Sequence, residues 1–226
     1  MISIIKSKIR ITNNSKELCK QKELIRKKIN NKLYDYIFSE EIVKPNKQIV
    51  DEFYKSIKLD SKSYKNLISL LFTQIGIQNS IARVGDNNFR TDLILKDSDL
   101  TGIVDIGKSE EALESPRNIL EQNAIFFSRY NIKDDKVFIV VSNHLPRLRQ
   151  DYWKVLNDIK KILNIDIKNI TTGTLFLLVL LRKKIQLKDL ENTDITSIGK
   201  NLRNLVGHSF LEDIPLGYKG IFEIEK

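Results

Sequence analysis

The segment Val137-Phe138-Ile139-Val140-Val141-Ser142 is apolar almost without interruption. Successive side chains of a strand point to opposite sides, so a strand with one wet face alternates apolar and polar residues. This segment does not alternate. Both of its faces must be covered, as in an inner strand lying between layers of helix. The flanking sequence supplies such layers. Tyr64, Leu67, Ile68, Leu71, Phe72 and Ile75 recur at helical spacing after Ser63, read as an N-cap, and before Gly76, read as a C′ glycine. Pro116, with Ser115 before it, opens a helix through Ile119, Leu120, Asn123, Phe126, Phe127 and Tyr130. Further helices are predicted from Ser15 through Leu33, after Lys44-Pro45-Asn46, over Pro146 to Leu163, and over Thr174 to Lys184. A short strand is predicted over Ile167 to Thr171.

Two more strands are predicted around a polar hairpin at Lys96-Asp97-Ser98-Asp99. They are Arg90-Thr91-Asp92-Leu93-Ile94-Leu95 and Gly102-Ile103-Val104-Asp105-Ile106-Gly107-Lys108, and each carries one acid. A carboxylate inside an apolar strand is costly unless it is paired or binds a cation. Two of them on neighbouring strands, followed by a lysine, read as a divalent-metal site, and such a site points to phosphodiester hydrolysis. The order of elements predicts a mixed α/β fold with a central mixed sheet and helices on both faces.

Composition narrows the classes. The 226 residues include 38 Lys and Arg against 29 Asp and Glu, a net charge of +9, which favours polyanionic partners. One cysteine, Cys19, allows neither an intrachain disulfide nor a cysteine-based zinc cluster, and suits a reducing, cytoplasmic setting. The longest apolar run, Leu175 to Leu181, falls far short of the roughly 18 residues of a membrane span. Met1 to Thr12 lacks the apolar stretch of a secretion signal, so none is expected. Nothing matches a P-loop, a glycine-rich dinucleotide turn or a serine-nucleophile elbow.

Several local strings carry a resemblance. Leu70-Leu71-Phe72-Thr73-Gln74-Ile75-Gly76, the Gly85 turn, Asp92, Gly102-Ile103-Val104-Asp105, the helix around Gln122, Val140-Val141-Ser142-Asn143-His144 and the Ile170 strand before a Leu-rich helix occur in this order. Over roughly residues 20 to 185 the chain resembles the FokI-like cleavage domains of restriction endonucleases, in the PD-(D/E)XK nuclease superfamily. The resemblance implies a restriction-endonuclease-like sheet. It also implies Mg²⁺ held by Asp92 and Asp105, and a catalytic lysine near the second acid. It divides the chain into an N-terminal basic helical region at 1–60, a nuclease core at 61–185 and a C-terminal appendage at 186–226.

The superfamily lysine stands two residues after the second acid, where this chain has Gly107; its lysine is Lys108. On a regular strand, Lys108 faces away from Asp105. A left-handed bulge at Gly107 would turn it back, and on that expectation Lys108 is the catalytic cation. Arg90 and Gln122 are candidates for DNA contacts. Asp97 and Asp99 suit the turn for backbone reasons. Glu110, Glu111 and Glu114 follow Lys108; one reading has them reach the metal, and the preferred one is a solvated loop or an acidic helix start. His144 resembles the histidine that follows the third core strand in the superfamily and is read as structural; His208 has no recognisable partner in the sequence.

The implied activity is Mg²⁺-dependent cleavage of double-stranded DNA, of the restriction or phage-defence kind. One strand is cut per active site, so double-strand cleavage calls for a homodimer or a partner subunit that supplies the second site or the sequence specificity. The alternative is a catalytically degenerate nuclease fold that binds DNA or assembles with a partner, to which Gly107 lends support.

Overall fold

The computed structural model describes residues 15–44, 46–56, 59–81, 91–97, 100–107, 113–130, 135–143, 146 and 151–191. Residues 1–12, the Gly85 turn, Arg90, Asp99, Lys108, Glu110, Glu111, His144, His208 and the C-terminal appendage beyond residue 191 lie outside the described residues.

The chain forms a mixed α/β structure. Among the described residues four helices come first: α1 (Ser15–Arg26), α2 (Asn31–Phe38), α3 (Lys47–Ser56) and α4 (Ser61–Gln74). Three strands follow, β1 (Gln78–Ile81), β2 (Leu93–Asp97) and β3 (Leu100–Gly107). Then come α5 (Ser115–Tyr130), β4 (Asp135–Ser142), α6 (Asp151–Leu163), β5 (Ile167–Thr171), α7 (Thr172–Leu180) and α8 (Leu187–Glu191). The five strands lie in sequence order in one sheet. β1, β2 and β3 are antiparallel neighbours, whereas β3, β4 and β5 are parallel. The connections through α5 and α6 make the parallel half possible, since parallel neighbours need a crossover.

Both faces of the sheet are covered. Asp105, Val140 and Asn169 are register partners across β3, β4 and β5 and share one face. α5 and α6 meet that face, through Asn118 at Asp105 and Tyr152 at Asn169. On the other face Leu95 and Gly102 are partners, and a Cβ on Gly102 would stand 3.3 Å from Leu187 of α8. α8 is held there by Asp97, whose carboxylate accepts the Leu187 N–H at 3.0 Å. Asp97, read only as a turn residue, thus also holds the start of α8. From Val137 to Val141 every residue of β4 is buried, as its unbroken apolar sequence requires.

The predicted helix through Leu33 is two helices. Asn30 breaks it, because its side chain accepts the Lys32 N–H at 2.9 Å and restarts the chain as α2, burying Leu33 and Ile37. The cap of α4 is Asp60 and not Ser63: Asp60 takes the Ser63 N–H at 2.9 Å and the Ser63 hydroxyl at 2.8 Å. These bonds hold the Asp60 carboxyl down at about 2, led by the Ser63 backbone bond. Gly76 is the C′ residue, with φ of +96° and Ile77 N–H on the Phe72 carbonyl at 3.0 Å. β1 was not foreseen; Asn79 anchors it by hydrogen bonds to Ser69 and Thr73 of α4.

α7 begins two residues before and ends four residues before the predicted span. Arg182 stops it in the left-handed conformation, φ 51°. Its guanidinium then donates to the carbonyls of Tyr36, Ile37, Glu41 and Val179 at 2.8–3.1 Å. One side chain thus satisfies the open carbonyl ends of both α2 and α7. Phe53 of α3 stacks on Phe176 of α7 with centroids 4.0 Å apart. The core therefore runs unbroken across residue 60, with Ile25, Leu33 and Phe53 in the same cluster as Leu71 and Val140.

Candidate metal-binding cleft

β2 pairs with β3 so that Leu93 faces Val104, which sets Asp92, one residue outside β2, opposite Asp105. A cleft of about 360 Å³ opens at this point, at the carboxyl end of β3. Its walls are Lys65, Asp92, Asp105, Ile106, Gly107, Glu114, Asn118, Glu121 and Gln122. Ligands of open α/β sheets bind beyond the carboxyl ends of parallel strands.

Asp92 is held by both oxygens. Oδ2 accepts the Ile106 N–H at 2.9 Å, and Oδ1 forms an ion pair with Lys65 Nζ from α4. A carboxylate has about four acceptor directions, so each oxygen keeps capacity for a further partner. Asp105 is 6% exposed, and its Oδ1 faces the Asn118 amide at 3.5 Å. Burial pushes the Asp105 carboxyl above its ordinary value, and the nearby charge of Asp92 pushes the same way. Ser115, Asn118 and the Lys65 charge oppose this. The site thus concentrates negative charge in a poorly solvated place, a cost that a bound cation removes.

The donor set suits a hard divalent ion. Mg²⁺ is commonly bound by one or two carboxylates together with water and substrate phosphate, without a full protein cage. Among the described residues no group of three or more His, Cys, Asp or Glu side chains is placed to hold a metal ion; the cleft offers the pair Asp92 and Asp105. Its described walls carry four carboxylates against one ammonium. A phosphodiester enters such a cleft only with a cation that offsets this charge.

Asp92, Asp105 and Gln122 are brought together, and Gln122 is almost fully buried at the cleft wall. Glu114, read as a helix start, does both jobs: it lines the cleft and its carbonyl accepts the Asn118 N–H at 3.2 Å. Arg90 and Lys108 lie outside the described residues. The expected bulge at Gly107 is absent. β3 stays in register with β4 through Gly107 opposite Ser142, and Gly76 is the one glycine with positive φ among the described residues. Parallel pairing with β4 keeps this backbone extended.

Lys65 and Asn118 were not foreseen. Lys65 is one lysine among many, next to the buried Tyr64 on a helix read only for its apolar face. Its neighbour fixes it: the Tyr64 hydroxyl meets Asn143 at 2.5 Å and Thr172 at 2.6 Å, at the ends of β4 and β5. Burial raises the Tyr64 hydroxyl to about 12, so it stays protonated. Behind Asp105, Tyr152 of α6 hydrogen-bonds to Asn169, and burial also raises its hydroxyl well above the usual tyrosine value.

The basic side chains of the N-terminal helical region are partly occupied within the fold. Lys22 lies over the Phe38 ring at 5.0 Å, Arg26 over Tyr34 at 5.6 Å, and Lys28 pairs with Asp60 at 3.5 Å. No helix among the described residues is long and apolar enough to cross a membrane. Comparison of the chain with protein-family models and with curated proteins finds no match, so geometry and chemistry carry the functional reading.

Proposed function

We propose that this protein is a Mg²⁺-dependent endonuclease that hydrolyses DNA phosphodiester bonds, with a restriction-endonuclease-like architecture. The observation that supports this reading is the meeting of Asp92 and Asp105, from adjacent strands, in one cleft that also receives a lysine. A Mg²⁺ held by these two carboxylates would polarise a phosphate oxygen and lower the pKa of a bound water.

The chain's own groups do the rest. The Ile106 N–H fixes the rotation of Asp92, and Asn118 orients Asp105. A lysine ammonium stabilises the charge that builds on the phosphorus oxygens. Water oxygen bonds to phosphorus while one P–O ester bond breaks. The water loses a proton and the leaving alkoxide gains one. Gln122, in the cleft wall, and Arg90 are the residues proposed to contact DNA. The positive net charge draws the duplex to the surface. One acid pair serves one strand, so a second copy or a partner subunit completes double-strand cleavage and supplies specificity. The proposed setting is cytoplasmic.

A supercoiled plasmid incubated with the protein and Mg²⁺, Mn²⁺ or EDTA tests this. Nicking that EDTA stops, and that Asp105→Asn abolishes, is the expected result. Binding without nicking in either metal supports a second reading, a degenerate nuclease fold acting as a binding or assembly subunit. That reading is favoured by one observation: Gly107, at the superfamily lysine position, is a regular strand residue.

A further inference from the structure

We propose that Lys65, carried by α4, is the catalytic cation of this cleft, taking the place that the superfamily gives to a lysine on the second acid-bearing strand. The proposal rests on the endonuclease reading. Three observations carry it.

The first is the vacant side-chain position. Gly107 shares the face of Asp105 and lines the cleft, but brings no side chain to it. The second is the source of positive charge. Among the described residues lining the cleft, Lys65 is the cationic one, and its ammonium meets Asp92 Oδ1. The third is how both groups are supported. Asp92 has its own anchor in the Ile106 N–H, so Lys65 is not needed to hold it. The start of α4 is fixed at both ends of this turn, by the Asp60–Ser63 cap and by Tyr64 on Asn143 and Thr172. The Lys65 side chain is 33% exposed, against 12% for Asp92, so of the two it is the more accessible from solvent.

An ammonium has three donors and rotates freely about its stem. One donor meets Asp92; the others are available to a phosphate oxygen entering the cleft. The same contact has a second consequence. Lys65 and a divalent ion share the Asp92 carboxylate, so removing the ammonium frees that oxygen for the ion.

The test uses the full chain with Lys65→Met, which keeps the length of the stem, and Lys65→Arg, which keeps the charge. Plasmid nicking in Mg²⁺ is measured beside Mn²⁺ binding by paramagnetic resonance and beside thermal melting. Lys65→Met is expected to nick about 100-fold more slowly than the unaltered protein, on the scale of removing one charge-stabilising donor. It is expected to bind Mn²⁺ about threefold or more tightly, since an opposing charge near the ion is gone. Lys65→Arg is expected to recover part of the rate.

Nicking by Lys65→Met at the unaltered rate would overturn the proposal, most directly if Lys108→Ala abolished nicking. Loss of Mn²⁺ binding or of folding in Lys65→Met, without rescue by Lys65→Arg, would also overturn it and leave Lys65 a structural role. If the unaltered protein fails to nick with either metal, the endonuclease reading falls. Mn²⁺ affinity then still tests whether Lys65 and the ion share Asp92, and equal affinity in Lys65→Met removes that too.

Discussion

Asp92 Oδ2 accepts the Ile106 N–H at 2.9 Å, so a side-chain carboxylate continues the β2–β3 ladder one step before the start of β2. The acid is thus part of the sheet's hydrogen bonding and part of the cleft at once. These two roles separate by substitution. Asp92→Asn keeps an acceptor for Ile106 and loses the charge; Asp92→Ala loses both. Asp92→Ala is expected to cost about 1–3 kcal/mol more in urea unfolding than Asp92→Asn, the penalty of a buried donor left without its acceptor. Both are expected to lose nicking.

Asp105 yields a pH prediction of definite sign. Burial, then the Asp92 charge, raises its carboxyl in the folded state. Between the ordinary aspartate value of about 3.9 and the raised value, the folded protein holds more protons than the unfolded chain, so stability falls as pH rises. In EDTA, Asp105→Asn is therefore expected to melt higher than the unaltered protein at neutral pH. The difference shrinks as pH falls below the ordinary value. Mg²⁺ is expected to raise the melting temperature of the unaltered protein and not that of Asp105→Asn. Melting scans across pH, with and without Mg²⁺, read all three effects.

Tyr64→Phe removes a hydroxyl that joins α4 to Asn143 and Thr172. The expected loss is about 1–2 kcal/mol by denaturant midpoint, because buried partners are left behind. Lys65 sits on the same turn, so nicking by Tyr64→Phe is expected to fall further than its stability does.

Gly102 is small because the chain is crowded there. A Cβ would lie 2.9 Å from Leu95 Cβ and 3.3 Å from Leu187 Cδ1. Leu95 Cβ is next to backbone and cannot swing aside. Gly102→Ala is expected to destabilise by about 1–3 kcal/mol, as overpacking does, measured as a lower urea midpoint.

Arg182 ties α2 to α7 through four carbonyls. Lysine has one nitrogen and cannot span them. Arg182→Lys is expected to cost about 2–3 kcal/mol, since charge-assisted bonds to otherwise open helix ends are lost. Hydrogen exchange is expected to accelerate first at the carboxyl end of α2.

The parts of this protein legible in sequence are those whose signals are local. The apolar run of β4 required cover on both faces, and α5, α6 and α8 supply it. Gly76 marked the end of α4 because only a left-handed residue closes that turn without strain. Asp92 and Asp105 stood out because acids in apolar strands need a reason, and the hairpin between them was short enough to set their pairing. Boundaries were less legible. Asn30, Asp60 and Arg182 each placed a helix end through a side-chain bond that competes with the apolar pattern, and that pattern is blind to it.

From its own order of residues the chain determined the types of its elements, the hairpin and the opposed acids, because periodicity and turn chemistry act over a few residues. Tertiary structure alone brought Lys65 to Asp92. Lys65 and Asp92 are 27 positions apart, and what joins them is the way α4 is pinned across the ends of β4 and β5 by Tyr64. It also decided the backbone at Gly107, where glycine permits either a bulge or an extended strand. Pairing with β4 selects the strand, because a parallel ladder forms its hydrogen bonds only to an extended neighbour.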